Sequence, residues 1–233
     1  MNIILSWWWD TIKNSRLLNI FKDNLSWNRI LIIPRAIEGK KYYKYEEWLS
    51  EVFPKKEYEI FVLDEWNLAN YDRNFFMSFD WMYVWWGNTF KLQNIILEYN
   101  FYSVIAYFIE NKIFYWSSAG AMIVMRDIET ATGEDENLVW IHWNQFLWLD
   151  CFNWLNLFCH FDISKINDCK KFTKTHHGKY LGVWEGEWLI KDKDIIHFVW
   201  SETIYIFENW AEISCSNKSI TLVQLSNLEF PIA

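Results

Sequence analysis

The sequence predicts an α/β domain built on a parallel sheet covered on both faces. Three observations carry this: short apolar runs alternate with stretches of helical periodicity, the connections are long enough for crossovers, and one run delivers a serine directly into a helix. Residues 2–6 are an apolar run followed by loop residues, and residues 11–25 carry Ile12, Leu17, Leu18, Phe21 and Leu25 at helical spacing. Residues 29–33, Arg-Ile-Leu-Ile-Ile, form a run that stops at Pro34, as in a strand buried on both faces. Residues 41–53 read as helix and 58–63 as a third strand, followed by a polar loop with Asp64, Asn67 and Asn70. A fourth strand is expected over 81–84, helices over 89–99 and 102–111, and a further strand over 112–115. Past the next helix, 126–137 is an acidic loop and 156–159 a short apolar run ending at His160. From Tyr180 onward short strands separated by turns are expected over 181–183, 187–191, 194–199, 204–208 and 211–214, an antiparallel extension of the same domain. Residues 1–233 are therefore expected to form a single domain with one core.

Charge and cysteine usage narrow the function classes. With 22 Lys plus Arg against 30 Asp plus Glu, the net charge of −8 repels a phosphate backbone, so nucleic acid is not an expected partner. Cys151, Cys159, Cys169 and Cys215 form no C-x-x-C pair or Cys/His cluster at metal-ligand spacing, so neither a metal nor a cofactor is expected. The first residues lack a basic n-region and meet Asp10 early, and the later apolar segment is interrupted by Asp150, Asn153, Asn156 and His160. A cytoplasmic protein with no membrane partner is the expectation.

One feature of the composition is anomalous: 18 Trp and only 7 Gly. Trp7, Trp8 and Trp9 follow the first strand, Trp85 and Trp86 the fourth, and Trp116 the strand before the serine; these are places where such folds use glycine loops. Trp210, after Asn209 and between two strand-like runs, stands where Asn-Gly would make a type I′ hairpin turn. Some bacterial lineages read UGA as glycine, and translating that codon as Trp would produce this pattern. Trp48, by contrast, fits a helix face.

The candidate chemistry centres on Ser118, in Trp116-Ser117-Ser118-Ala119-Gly120-Ala121. A serine between a strand and a helix occupies a nucleophile elbow, where a sharp turn exposes its hydroxyl and free N–H groups at the helix start face any developing anion. Ser117 competes for the role but lies at a position whose side chain should point elsewhere. The Ala119 N–H, with a second from the Trp86-Gly87 loop, would serve the oxyanion. Of His142, His160, His176, His177 and His197, His160 is the expected base because a strand would deliver it to the same sheet edge. The orienting acid is expected among Glu134, Asp135 and Glu136, which lie between serine and histidine in the chain.

Once Trp is read as Gly at the loop positions, four segments together resemble the peptidase E family of serine peptidases, the aspartyl dipeptidases. They are Trp7-Trp8-Trp9-Asp10-Thr11, Val84-Trp85-Trp86-Gly87-Asn88-Thr89-Phe90-Lys91-Leu92, Trp116-Ser117-Ser118-Ala119-Gly120-Ala121 and Cys159-His160-Phe161-Asp162. The resemblance implies a three-layer, flavodoxin-like α/β/α fold akin to class I glutamine amidotransferases, with serine in place of their nucleophilic cysteine. It implies a triad of Ser118, His160 and an acid that falls first on Asp135 and second on Glu134. It also implies hydrolysis of dipeptides with amino-terminal aspartate through an acyl-enzyme, with a small peptide as partner. Cyanophycin cleavage is the alternative chemistry, and a silent binding module on the same fold the non-enzymatic one. A cation such as Arg35, Arg126 or a lysine is expected at the substrate carboxylate. Genuine indoles at 86 and 116 would predict an inactive protein.

Overall fold

In the computed structural model, strands β1 (Ile3–Ser6), β2 (Arg29–Ile33), β3 (Glu59–Val62), β4 (Trp81–Val84) and β5 (Ile113–Ser117) pair in parallel in the order β3-β2-β4-β5-β1. Counted from β2, the first four follow the flavodoxin order 2-1-3-4. The structure describes residues 3–6, 29–33, 53–63, 71–84, 87–133, 135–137, 139, 149–184, 187–199, 203–215, 219–221, 224–225 and 227–228. The expected helix over 11–25 and all but the last residue of that over 41–53 lie outside these, as do Trp7, Trp8, Trp9, Trp85 and Trp86.

The parallel strands are apolar at successive positions because both sheet faces are covered. Ile3, Leu5, Leu31, Ile33, Met82, Val84, Phe114 and Trp116 join one core cluster, while Ile4, Ile30, Ile32, Trp81, Tyr83 and Tyr115 are buried on the alternate positions. Helix α1 (Arg73–Met77) is N-capped by Asp72 and α2 (Thr89–Glu98) by Asn88, whose Oδ1 accepts from the Lys91 N–H at 2.9 Å. Helices α3 (Tyr102–Asn111) and α4 (Ala119–Ile123) flank β5 in the chain.

The carboxyl-terminal strands differ from the expectation of one antiparallel extension. Strands β8 (Trp188–Asp192), β9 (Ile195–Phe198) and β12 (Ser219–Thr221) do extend the main sheet, antiparallel, from the β1 edge to eight strands. The others form a second, four-stranded sheet in the order β11 (Ala211–Cys215), β10 (Ile204–Glu208), β7 (Lys179–Trp184), β6 (Leu155–Phe161), in which β6 and β7 run parallel. The reason is helix α5 (Ile166–Thr175), which turns β6 and β7 into a crossover unit. Its apolar stripe is only Ile166, Cys169 and Phe172, set among Asn, Asp, Lys and Thr, so it reads as loop unless those three positions are aligned. Against this helix the second sheet closes a satellite core of Phe161, Cys169, Tyr180 and Phe207.

The second sheet is tied to the segment that follows α4 by a buried polar pair. Asn156 of β6 donates through Nδ2 to Asp127 Oδ2 at 2.8 Å and accepts the Asp127 N–H on Oδ1 at 3.1 Å. Asp127 begins the segment running into the acidic loop and is 5% exposed, so its carboxylate depends on protein donors. Asn156→Ala is expected to cost about 2 kcal/mol, seen as a lower urea midpoint with unchanged slope.

Candidate active site

Strand β5 ends at Ser117, and the chain turns through Ser118 into α4 within one residue. Ser118 takes φ 49° and ψ −107°, a backbone region costing a non-glycine residue about 1–3 kcal/mol. The helix is held close to the sheet: a Cβ on Gly120 would lie 3.1 Å from the Val84 carbonyl oxygen and 2.7 Å from Cε3 of Trp116. Ser118 is half-buried.

His160 arrives from the second sheet, not from the parallel one as expected. Leu155, Leu157 and Cys159 of β6 face the main core, whereas Phe158 and Phe161 face the satellite core. A bulge between Phe158 and Phe161 inserts the extra residue that this pattern requires. Without it His160 would share the face of Phe158. With it, His160 adopts φ 51° and its Nε2 lies 3.3 Å from Ser118 Oγ. Lys165 reaches back to donate to the His160 carbonyl at 2.8 Å, across a 3-10 turn (Ile163–Lys165) capped by Asp162. Hydrogen bonds from Ser164 hold the fully exposed Asp162 carboxyl below its ordinary range.

A crevice of about 220 Å³ is lined by Gly87, Thr89, Ser118, Met122, Asp135, Cys159 and His160. Gly87 has φ 140°, a conformation that only glycine takes without strain. The Ala119 N–H belongs to the first turn of α4, where no helical carbonyl reaches it. The structure thus brings Ser118, His160, Asp135 and Gly87 to one crevice, with Ala119 adjoining. Glu134 and Trp86 lie outside the described residues, and Glu136 is exposed. Trp116 is fully buried beside Phe114 on the core side of β5, away from the crevice lining.

Asp135 is held from the amino end of α2, which the sequence reading missed. Its Oδ2 accepts both the Thr89 N–H at 2.8 Å and the Thr89 hydroxyl at 2.6 Å, while Asn88 Nδ2 donates to the Glu136 carbonyl at 2.8 Å. The available signal was Asn88-Thr89 at the start of α2, in the connection that leaves the carboxyl end of β4. The remaining histidines are elsewhere: His176 stacks on Phe172 at 3.8 Å and lies 3.9 Å from Glu129, His177 is exposed, His197 sits on β9, and His142 lies outside the described residues. Burial and the neighbouring Asp127 push the Glu129 carboxyl above its ordinary range. Among the described residues no group of three or more His, Cys, Asp or Glu could hold a metal ion, and no helix is long and apolar enough to cross a membrane.

The profile of peptidase family S51 matches residues 9–199. The chain belongs to peptidase family S51. Its fold is similar to a putative peptidase E from Listeria monocytogenes EGD-e, at TM-score 0.61 and 18% identity over 93% of this chain and 98% of that one. It is also similar to a peptidase from an acI-B1 Actinobacterium, at TM-score 0.65 and 15% identity over 94% and 96% of the two chains. No curated protein matches. This S51 chain is therefore a peptidase with a flavodoxin-like core.

A second cavity of about 500 Å³ adjoins the S51 crevice across Cys159 and is lined by Thr130, Lys165, Asp168 and Cys169. Burial pushes the Cys169 thiol up to about 12, and likewise Cys151, so at neutral pH neither is the thiolate that nucleophilic attack requires. Iodoacetamide at neutral pH is expected to leave both unmodified in the folded protein and to alkylate both after unfolding in urea, as read by peptide mass.

Proposed function

We propose that this S51 peptidase cleaves short peptides through Ser118, His160 and Asp135, with dipeptides bearing amino-terminal aspartate as its preferred substrates. The observation that carries the reading is the 3.3 Å approach of Ser118 Oγ to His160 Nε2, made by two residues each held at positive φ. That separation is slightly long for a hydrogen bond in the resting state, as is common before substrate arrives.

In this mechanism His160 Nε2 takes the hydroxyl proton as Ser118 Oγ attacks the peptide carbonyl. The Ala119 N–H and the N–H groups of the Gly87 loop receive the charge on the carbonyl oxygen. His160 then passes its proton to the departing amine, leaving an acyl group on Ser118. Water, deprotonated by the same nitrogen, releases the acid and returns the proton to Ser118. Asp135 orients the imidazole. The preference for aspartate rests on the resemblance to aspartyl dipeptidases. Cys151, Cys169 and Cys215 are not joined in disulfides, which suits a cytoplasmic setting.

The test is hydrolysis of Asp-X dipeptides beside Ala-X dipeptides and cyanophycin fragments, with fluorophosphonate labelling in parallel. Asp-X turnover with labelling at Ser118 is expected, and Ser118→Ala or His160→Ala should lower kcat by about 10⁴–10⁶-fold. Full activity in Ser118→Ala would overturn the mechanism, and faster cleavage of the cyanophycin fragments would overturn the dipeptide assignment.

A further inference from the structure

We infer that Thr89 is a positioning residue for the proposed catalytic acid, fixing the orientation of the Asp135 carboxylate at the crevice. This rests on the triad proposed above. Thr89 is 1% exposed and is the first residue of α2, so its N–H has no helical carbonyl to bond. That N–H and the hydroxyl, whose oxygen also lies 3.4 Å from Met122 Sδ, both donate to the same oxygen, Asp135 Oδ2, at 2.8 and 2.6 Å. A carboxylate oxygen offers two lone pairs in the carboxyl plane, and Thr89 occupies both on Oδ2. Rotation of the carboxylate is thereby stopped at the crevice that Ser118 and His160 also line.

The loop carrying the acid is fixed as well. The Asp135 N–H donates to the Ala131 carbonyl at 2.7 Å, and the next carbonyl, that of Glu136, accepts from Asn88 Nδ2 at 2.8 Å. Asn88 caps α2 with its other side-chain atom, so helix and acid loop move as one body. The hydroxyl is the contact on the carboxylate itself that substitution can remove without disturbing the backbone.

Thr89→Val keeps the shape and loses the donor, and Thr89→Ser restores the donor. With an Asp-X dipeptide, Thr89→Val is expected to lower kcat by about 10–100-fold with little change in KM, and Thr89→Ser to recover most of the loss. The double variant Thr89→Val/Asp135→Asn should be no slower than Asp135→Asn alone, because the hydroxyl acts only through that carboxylate. Wild-type kcat in Thr89→Val, failure of serine to rescue, or losses that multiply in the double variant would each overturn the inference. If Thr89→Val folds poorly, the rate of fluorophosphonate labelling in Thr89→Ala, normalised to the folded fraction, reads the same loss. The two readings fail separately: an active Ser118→Ala sinks the peptidase mechanism, whereas a required Ser118 with an unimpaired Thr89→Val sinks only the role of Thr89.

The backbone at two tryptophans and the packing of a third carry a second inference independently. Asn153 and Trp154 have φ 51° and 68°, and Asn209 and Trp210 have φ 48° and 69°. Asn209 and Trp210 alone separate the paired residues Glu208 and Ala211, the two-residue hairpin that demands Asn-Gly. Both indoles are thrust outward, 65% and 39% exposed. Trp116 is the buried counterpart. Its ring centroid lies 3.7 Å from that of Phe114, closer than the roughly 4.5–7 Å of ordinary aromatic pairs. We propose that positions 116, 154 and 210 are glycine in the polypeptide that the cell makes, encoded by UGA.

Trp81 serves as the control, since its ring is buried against the edge of Phe53 at 4.9 Å. The gene is expected to carry UGA at 116, 154 and 210 and UGG at 81, with glycine at the three positions in peptide spectra of the native protein. UGG at those three positions would overturn the assignment, and UGA at 81 would overturn the geometric criterion behind it.

Discussion

Two residues hold the site together, and each is in a conformation its own chemistry disfavours. Ser118 and His160 both sit at positive φ, near 50°, on opposite sides of a 3.3 Å gap. Neither would stay there in isolation, because a strained backbone persists only where its surroundings over-determine it. The surroundings differ for the two. Ser118 is fixed by the abrupt passage from β5 to α4, with Gly120 pressed against the β4 carbonyl. His160 is fixed by a bulge whose flanking side chains belong to two different cores, and by the Lys165 ammonium on its carbonyl.

Because these residues belong to separate sheets, the site depends on how firmly the sheets are joined. The Asp127–Asn156 pair supplies one joint, where β6 meets the segment leading to the acidic loop. The clasp of Asn88 and Thr89 on residues 135 and 136 supplies another, joining that loop to α2. Both use polar groups that are buried or half-buried and mutually satisfied, and such groups confer rigidity only when every partner is present. Serine, histidine and carboxylate are thus brought together by three elements, the β5–α4 turn, β6 and the acidic loop.

The parallel core was legible because its strands are unbroken apolar runs between helical periods, and residues 29–33, 102–111 and 204–208 coincide with β2, α3 and β10. Ser118 was legible from the strand–turn–helix context and His160 from the end of its apolar run. What stayed hidden shares one cause: it depends on contacts between segments distant in the chain. Helix α5 shows only three apolar residues because its partner is a small satellite core, and without it the β6–β7 crossover has no visible connection. The bulge leaves no compositional mark. The hold of Thr89 on Asp135 spans 46 residues and looks, in sequence, like an ordinary helix start.

The bulge in β6 also bears on which changes the lineage of this protein tolerates. Exchanging one side chain there for another of similar bulk leaves the alternation of faces intact. Removing or adding one residue between Leu155 and Phe161 is another matter, since alternation would then exchange the two faces and swing the imidazole toward α5. The number of residues in this strand is thus under tighter constraint than their identity, and indels should be purged there even where substitutions accumulate.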